Sequence, residues 1–490
     1  MVLPEAPAPM ADSKRWWALP VVSLAQLMVV LDATIVNIAL PSAQHDLGMS
    51  DSDRQWVITA YALAFGGLLL VGGRICGALG RRRAFLTGLV GFAAASALGG
   101  AAGDAGTLYA ARALQGLCAT LLAPAALSLL ALTFTDARER GRAFGVFAGV
   151  GAGGAALGVV AGGLLTQYAD WRWCLYINVP MAALALAGTP FLLRDRPDRD
   201  LPRPDVPGAV LSAAGLLALV YAFAQAEPRG WTDPLVLALL TGGVLLLALF
   251  TAVQARTPHP LLPPRVLLHR ARATAFSSVF LMFVAMFGFF LFVSYYTQTI
   301  LGYSAVRAGM VLLVNAVGGI VGSMGVAGRL HRRTAPHVLI VASLLSAAAG
   351  MLVLTQLTAT SSHVFLVYLL PAQILTGLGL GCLLATATNL VTADMGPADA
   401  GIASAAYNAV QQLGAALGTA LLNSIATGVT AGYLDRHGHG RDAVDAGTVH
   451  GYTVALWVAF AVLVCGALAA GALSRRGPAG AGARATEPVS

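Results

Sequence analysis

Two ionisable side chains stand inside long apolar runs of this sequence: Asp32, in LDATIVNIALP from Leu31 to Pro41, and Arg112, in LYAARALQGLCAT from Leu108. A charge at the centre of a bilayer-spanning helix costs roughly 2.5–3.5 kcal/mol on insertion scales, so such residues ordinarily face a wet cavity or a partner and work there. The chemistry open to the carboxylate is proton binding. A nearby guanidinium can set that proton affinity or hold water. Counted at about 1.5 Å per residue from the outer ends of their runs, Asp32 lies roughly 14 Å deep and Arg112 roughly 8 Å, so the two could meet. On a helical period Asp32 shares its face with Ala25, Met28 and Ile35, none of them charged, and its partner must come from another segment. Two plainer uses stand beside these: Asp32 as polar glue between helices, and Arg112 snorkelling to the outer headgroups.

The remaining candidates are neutral. Thr34, Asn37 and Gln115 in the first half, and Tyr295, Tyr296, Gln298, Asn408 and Gln411 in the second, could line a cavity for a small molecule. The second half offers no acid or base well inside an apolar run, so charge chemistry is expected in the first half and shape and hydrogen bonding in the second. Phe276, Phe280, Phe283 and Phe287 form an aromatic stripe, more often a packing or lipid-facing surface than a ligand wall. GRAFGVFAGVGAGGAALGVVAGG carries Gly149 and Gly153, then Gly158 and Gly162, in rows four residues apart, which let another helix approach closely.

The elements that must position these residues are membrane helices. Of 490 residues, 57% are hydrophobic and 11% charged, with a mean hydropathy of +0.75, too apolar for a soluble protein of this size. Runs of about 20 apolar residues mark fourteen spans: roughly 16–41, 55–76, 84–103, 107–134, 142–168, 172–193, 208–226, 233–254, 272–300, 306–330, 335–357, 363–393, 400–428 and 450–474. With both termini cytoplasmic, 23 of the 30 lysines and arginines fall on the inner side and six on the outer, the asymmetry expected of a multi-pass protein with an even number of spans. The net charge of +8 is therefore topological and implies no nucleic-acid partner.

ARALQGL from Ala111 and AQILTGL from Ala372 repeat at an offset of 261, and GRICGALGRRR from Gly73 and GRLHRRTAPH from Gly328 at 255. Two six-helix halves with two inserted helices fit these offsets: a tail 1–15, a bundle 16–193, linkers and inserted helices 194–271, a second bundle 272–474 and a tail 475–490. The first apolar run is too long for a cleaved signal. The five cysteines show no metal-ligand spacing, and RHGHGR from Arg436 fits a solvated turn. No metal, cofactor or catalytic constellation is expected, and no ATP-binding loop is present in the sequence, so transport would draw on an ion or substrate gradient.

These motifs resemble the fourteen-span drug:proton antiporters of the major facilitator superfamily. LDATIVNIALP is similar to that branch's first-span motif, placing its acid at Asp32 and its polar positions at Thr34 and Asn37. LYAARALQGLCAT resembles the superfamily's fourth-span motif, with the proton-linked arginine at Arg112 and the following Gln and Gly at Gln115 and Gly116. WRWCLYINVP from Trp171, QTILGYSAVRAG from Gln298 and GIASAAYNAVQQLGAALGTA from Gly401 resemble later segments. Gly73, Arg74, Gly80, Arg81 and Arg82 match the gating loop after span 2, but the loop's Asp is Gly77 here, and the Pro expected after Gly158 is Val159. The resemblance implies a multi-pass protein of the cell membrane, a monomer, exporting amphipathic organic compounds such as drugs or antibiotics in exchange for protons by alternating access. The alternatives are a proton symporter or facilitator importing a small nutrient, and a non-transporting sensor, the latter disfavoured by the lack of a soluble domain.

Overall fold

The computed structural model describes residues 15–49, 51–191, 205–257, 260, 262, 269–330, 333–358, 361, 363–392 and 397–475. The tails before Arg15 and after Arg475, with most of the basic linker at 194–204 and 263–268, lie outside the described residues.

Among the described residues fourteen long helical segments follow in order: α1 (Ala18–Asp46), α2 (Asp51–Leu79), α3 (Arg81–Gly100), α4 (Ala105–Thr133), α5 (Ala137–Tyr168), α6 (Trp173–Ala187), α7 (Val206–Arg229) and α8 (Pro234–Gln254). Then come α9 (Arg270–Ile300), α10 (Val306–Leu330), α11 (Pro336–Leu354), α12 (Phe365–Thr392), α13 (Pro397–His437) and α14 (Arg441–Arg475). No strand occurs among the described residues.

Local chemistry sets the boundaries. Asp104 caps α4, its carboxylate accepting from the Thr107 amide at 2.9 Å, and Asp205, Asp233 and Ser304 cap α7, α8 and α10 in the same way. Gly80, with φ +84°, makes the turn from α2 into α3 in a conformation that side chains disfavour.

Twelve of the fourteen segments are long and apolar enough to cross a membrane within the described residues, so the expected count of fourteen spans is not reached. The two shortfalls are α5 and α6. The described apolar stretch of α5 is Leu157–Tyr168, the C-terminal part of a 32-residue helix that opens on Arg138, Glu139, Arg140 and Arg142. That of α6, Trp173–Ala187, is about 22 Å long, short of a hydrocarbon core of about 30 Å.

Helices α1–α6 pack chiefly on one another, α2 and α3 against α4 and α1 along α5; α11 lies on α12 and α14, and α9 on α13. The two sets meet where α5 lies along α10 and α12, and where α2 and α4 touch α13. The pair α7–α8 rests on the outside of that seam: Leu219 and Phe223 of α7 and Val236 of α8 share an apolar cluster with Ala420 of α13.

The two glycine rows of α5 serve two different neighbours. A Cβ at Gly149 would come within 3.1 Å of Ile320, and one at Gly153 within 3.7 Å of Ala316, both on α10. A Cβ at Gly158 would strike the Thr34 hydroxyl, and one at Gly162 would come within 3.1 Å of the Ile35 carbonyl, both on α1. One helix thus holds the first set together on one face and joins it to the second on the other.

Candidate functional site

Five helices converge on Asp32, which is fully buried. Arg112 and Gln115 of α4 lie three residues apart and so share a face. The Arg112 guanidinium donates to one Asp32 oxygen at 2.6 Å and to the Gln115 amide oxygen at 2.8 Å. Gln115 donates back to the second Asp32 oxygen at 3.0 Å and to the Ser96 hydroxyl of α3 at 2.7 Å, while Ser96 donates to the Phe92 carbonyl. Arg112 Nε reaches the Val57 carbonyl of α2 at 3.2 Å, and the guanidinium lies 4.5 Å over the Tyr61 ring, an attractive arrangement for a desolvated cation. From α6, Asn178 donates to the same Asp32 oxygen as Gln115, at 2.7 Å.

An ion pair out of water survives only when its remaining donors and acceptors are met. Here the carboxylate accepts three hydrogen bonds, and the guanidinium has a carboxylate, an amide, a carbonyl and a ring. The arrangement holds one negative and one positive charge together without solvent, and the carboxylate is the group in it able to take up a proton.

The entry to α6 fixes where Asn178 points. Arg172 bonds Asp46 at 2.7 Å and the Ala102 carbonyl at 3.2 Å, and the Trp171 indole donates to Asp46 at 3.1 Å. Trp171, Leu175 and Asn178 then recur at helical spacing. Beside this polar clasp lies a small apolar cavity lined by Val36, Ala39, Val57, Leu108, Trp171 and Leu175, among others.

Of the residues singled out from the sequence, Asp32, Arg112 and Gln115 come together. Gln115 was expected to line a substrate cavity and instead is fully buried in the charge cluster. Tyr296, expected to line a cavity from the second half, is also buried, its ring on Phe292 and its hydroxyl donating to the Thr358 carbonyl at 3.1 Å, because the aromatic end of α9 packs into the second set. Tyr295 is 37% exposed and rests against Tyr452.

Thr34, Asn37, Gln298 and Asn408 direct their donors at their own helices, to Leu31 O, Ala33 O, Ser294 and Ser404 O respectively. Asn37 is exposed, whereas Thr34, Gln298, Asn408 and Gln411 are half-buried. None of them lines the cavity beside Trp171 or the one between Phe292 and Leu422.

At the other end of α2, Arg81 is buried, and Arg82 donates to the Thr189 carbonyl beyond α6. Gly73 is buried and Arg74 half-buried. Sequence reasoning missed Asn178, Ser96 and Tyr61; the signal for Asn178 was a lone amide inside the apolar run that follows Trp173.

Residues 22–419 match the family model described as Major Facilitator Superfamily. The chain belongs to that superfamily. Among its superfamily relatives, it is 56% identical, over 94% of this chain and 91% of the other, to "Puromycin resistance protein pur8" of Streptomyces alboniger. It is 36% identical to "Cephamycin export protein CmcT" of Amycolatopsis lactamdurans, covering 85% and 86% of the two chains. A "Tetracenomycin C resistance and export protein" of Streptomyces glaucescens shares 34%, over 85% and 77%.

Solved superfamily structures share the fold at 16% identity. The human organic anion transporter MFSD10 (TETRAN) superposes with a TM-score of 0.59 over 92% of this chain and 99% of that one. The proton:xylose symporter XylE superposes with 0.60 over 92% and 95%. The chain is thus a multi-pass membrane protein of a transporter superfamily, related to antibiotic resistance and export proteins.

Proposed function

We propose that this protein exports antibiotic-class amphipathic molecules in exchange for protons, with Asp32 as the group that couples the two fluxes. The observation that carries the reading is a carboxylate wholly withdrawn from water among membrane helices, with its counter-charge on a separate helix. Such a pair has two arrangements close in free energy: closed when Asp32 is ionised, loosened when it is protonated and Arg112 loses its anion. Substrate that favours one arrangement and protons that favour the other become linked, and each displaces its rival. The names of the relatives support the substrate class, and puromycin is the first compound to try.

The test uses inside-out vesicles holding an imposed proton gradient. Puromycin added to vesicles with the natural protein should dissipate the gradient. Asp32→Asn, nearly unchanged in volume, should remain in the membrane and lose this response while keeping some downhill puromycin movement; full coupling by Asp32→Asn sinks the mechanism. A small nutrient that moves with protons, and no response to puromycin, would favour import.

The same proposal includes cytoplasmic termini and fourteen crossings, α5 and α6 among them. It is supported by the 32-residue length of α5, about 48 Å as a helix, and by the arginine asymmetry. A cysteine placed at Asp442 should react with an impermeant reagent in intact cells, and labelling only after lysis would overturn the orientation.

A further inference from the structure

Proton exchange requires Asp32 to exist both ionised and protonated, yet its surroundings consist almost entirely of donors. Protonation converts one carboxylate oxygen from acceptor to donor, and that new O–H needs an acceptor. Arg112 has none to give, since a guanidinium only donates. Gln115 is held at both ends: its oxygen accepts from Arg112, and its nitrogen serves Asp32 and Ser96. Turning it over would set an amide N–H against the guanidinium and break every one of these bonds. The Ser96 hydroxyl is directed to Phe92 O.

Asn178 differs. Its nitrogen donates to Asp32 at 2.7 Å, while its oxygen is buried without a hydrogen-bond partner. The residue is fully buried, so that oxygen has a standing cost in the present state.

We propose that Asn178 is the positioning residue that serves both protonation states of Asp32 by turning its carboxamide over. With Asp32 ionised, the amide N–H donates to the carboxylate. When a proton from water adds to a lone pair of that carboxylate oxygen, the carboxamide rotates about its Cβ–Cγ bond and its oxygen accepts from the new O–H. On release the proton returns to water and the amide turns back; no covalent bond of Asn178 forms or breaks. In either orientation one amide atom faces the position now lacking a partner, so the orphan is present in both states and the rotation is near balance. The other charged or titratable groups around Asp32 are Arg112 of α4, Tyr61 of α2, and Cys174 of α6, whose thiol lies against Thr166 and Gly162 of α5. The facing residues of α5 are the glycines Gly154, Gly158 and Gly162; Arg112 only donates, the Tyr61 hydroxyl has no hydrogen-bond partner and so is not bonded to Asp32, and the Cys174 thiol is directed to α5.

This inference rests on Asp32 as the coupling acid, and infrared difference spectroscopy of the full chain in lipid separates the two. The acid-minus-neutral spectrum should contain a carboxylic acid C=O band that is lost in Asp32→Asn. In protein carrying ¹³C-labelled asparagine side chains, it should be paired with a fall in one amide C=O frequency as that carbonyl gains a hydrogen bond. In Asn178→Leu the acid band should move to higher frequency, and puromycin–proton exchange should slow about tenfold, the rate equivalent of one lost hydrogen bond, with KM for puromycin unchanged. An Asp32 acid band unaccompanied by any asparagine change, or unshifted in Asn178→Leu, overturns the switch and leaves the coupling acid standing. Absence of any acid band from Asp32 overturns both.

Discussion

The two halves carry one helix plan with opposite polar content. In the first, Arg112 and Gln115 of α4 meet Asp32; at the 261-residue offset their places on α12 are taken by Gln373 and Thr376. Gly158 of α5 sits 3.0 Å, by its would-be Cβ, from the Leu31 carbonyl, and Gly418 of α13 abuts the Val284 carbonyl in the same manner, so the residue following, Asp32 in one half, is Ala285 in the other. The second half keeps a buried polar set, Asn315 donating to Thr376 at 2.7 Å and to the Gln373 carbonyl at 3.2 Å, but no buried charge among the described residues. It also holds π-helical turns at Tyr296–Ile300, Val321–Ala327 and Phe365–Leu369, whereas the described residues of the first half contain no π-helical turn, their irregularities being a turn at Ile177 within α6 and a 3-10 turn at Thr189–Phe191. The difference teaches a division of labour: the first half holds the buried charge, and π-helical turns, often found at functional sites, occur among the described residues only in the neutral half.

The severest way to break this comparison is to unpair the charge. Arg112→Ala leaves a buried carboxylate without its counter-ion and should cost about 3–5 kcal/mol, visible as lost thermal stability of the purified protein, unless Asp32 takes up a proton instead; Asp32→Asn placed on the Arg112→Ala background should then recover part of the loss. No recovery would show that Arg112 acts through packing alone.

Next in size is a pair of buried amides, one in each half, Gln373 standing where the repeat would place Arg112. Gln115→Leu removes hydrogen bonds to Asp32 and Arg112, each worth about 1.5–3 kcal/mol because the partner is charged. Gln373→Leu removes an amide whose nitrogen and oxygen are both buried without partners, and should change stability by no more than about 1 kcal/mol, or raise it. Equal losses in thermal unfolding would erase the distinction between the halves.

Glycine sites sharpen it further. Gly158→Leu must force α1 from α5 and should cost about 1–3 kcal/mol or more through overpacking, together with much of the transport. Gly77→Asp, which supplies the acid that the gating loop lacks, should fold normally, because nothing stands within 4 Å of a Cβ there. A folded, fully active Gly158→Leu protein would show that the α1–α5 contact opens freely.

The smallest effect is expected at Asp104. The Thr107 hydroxyl and then its backbone N–H hold the Asp104 carboxyl below its ordinary value of 3.8. Its contribution is therefore whole above that value and is lost as pH falls through the lower folded one. Asp104→Ala should lower the melting temperature slightly at neutral pH and reduce the steepness of acid unfolding, and an unchanged acid limb would show the cap to be idle.

Composition and hydropathy were enough to show a multi-pass helical protein, because each apolar run must satisfy its backbone within itself when lipid is the solvent. They also marked Asp32 and Arg112, since charge inside such a run stands out residue by residue, and the glycine rows, whose period shows that they share a face. The expected count of fourteen spans is not reached at α5 and α6, whose described apolar stretches, Leu157–Tyr168 and Trp173–Ala187, are short of a full crossing. Tertiary structure alone decided that Gln115 belongs to the ion pair and not to a cavity, that Tyr296 is packed away, and that Asn178, Ser96 and Tyr61 complete the cluster. The reason is geometric: helical periodicity fixes which residues share a face of one helix, but which faces meet across five helices depends on packing between segments up to 146 residues apart.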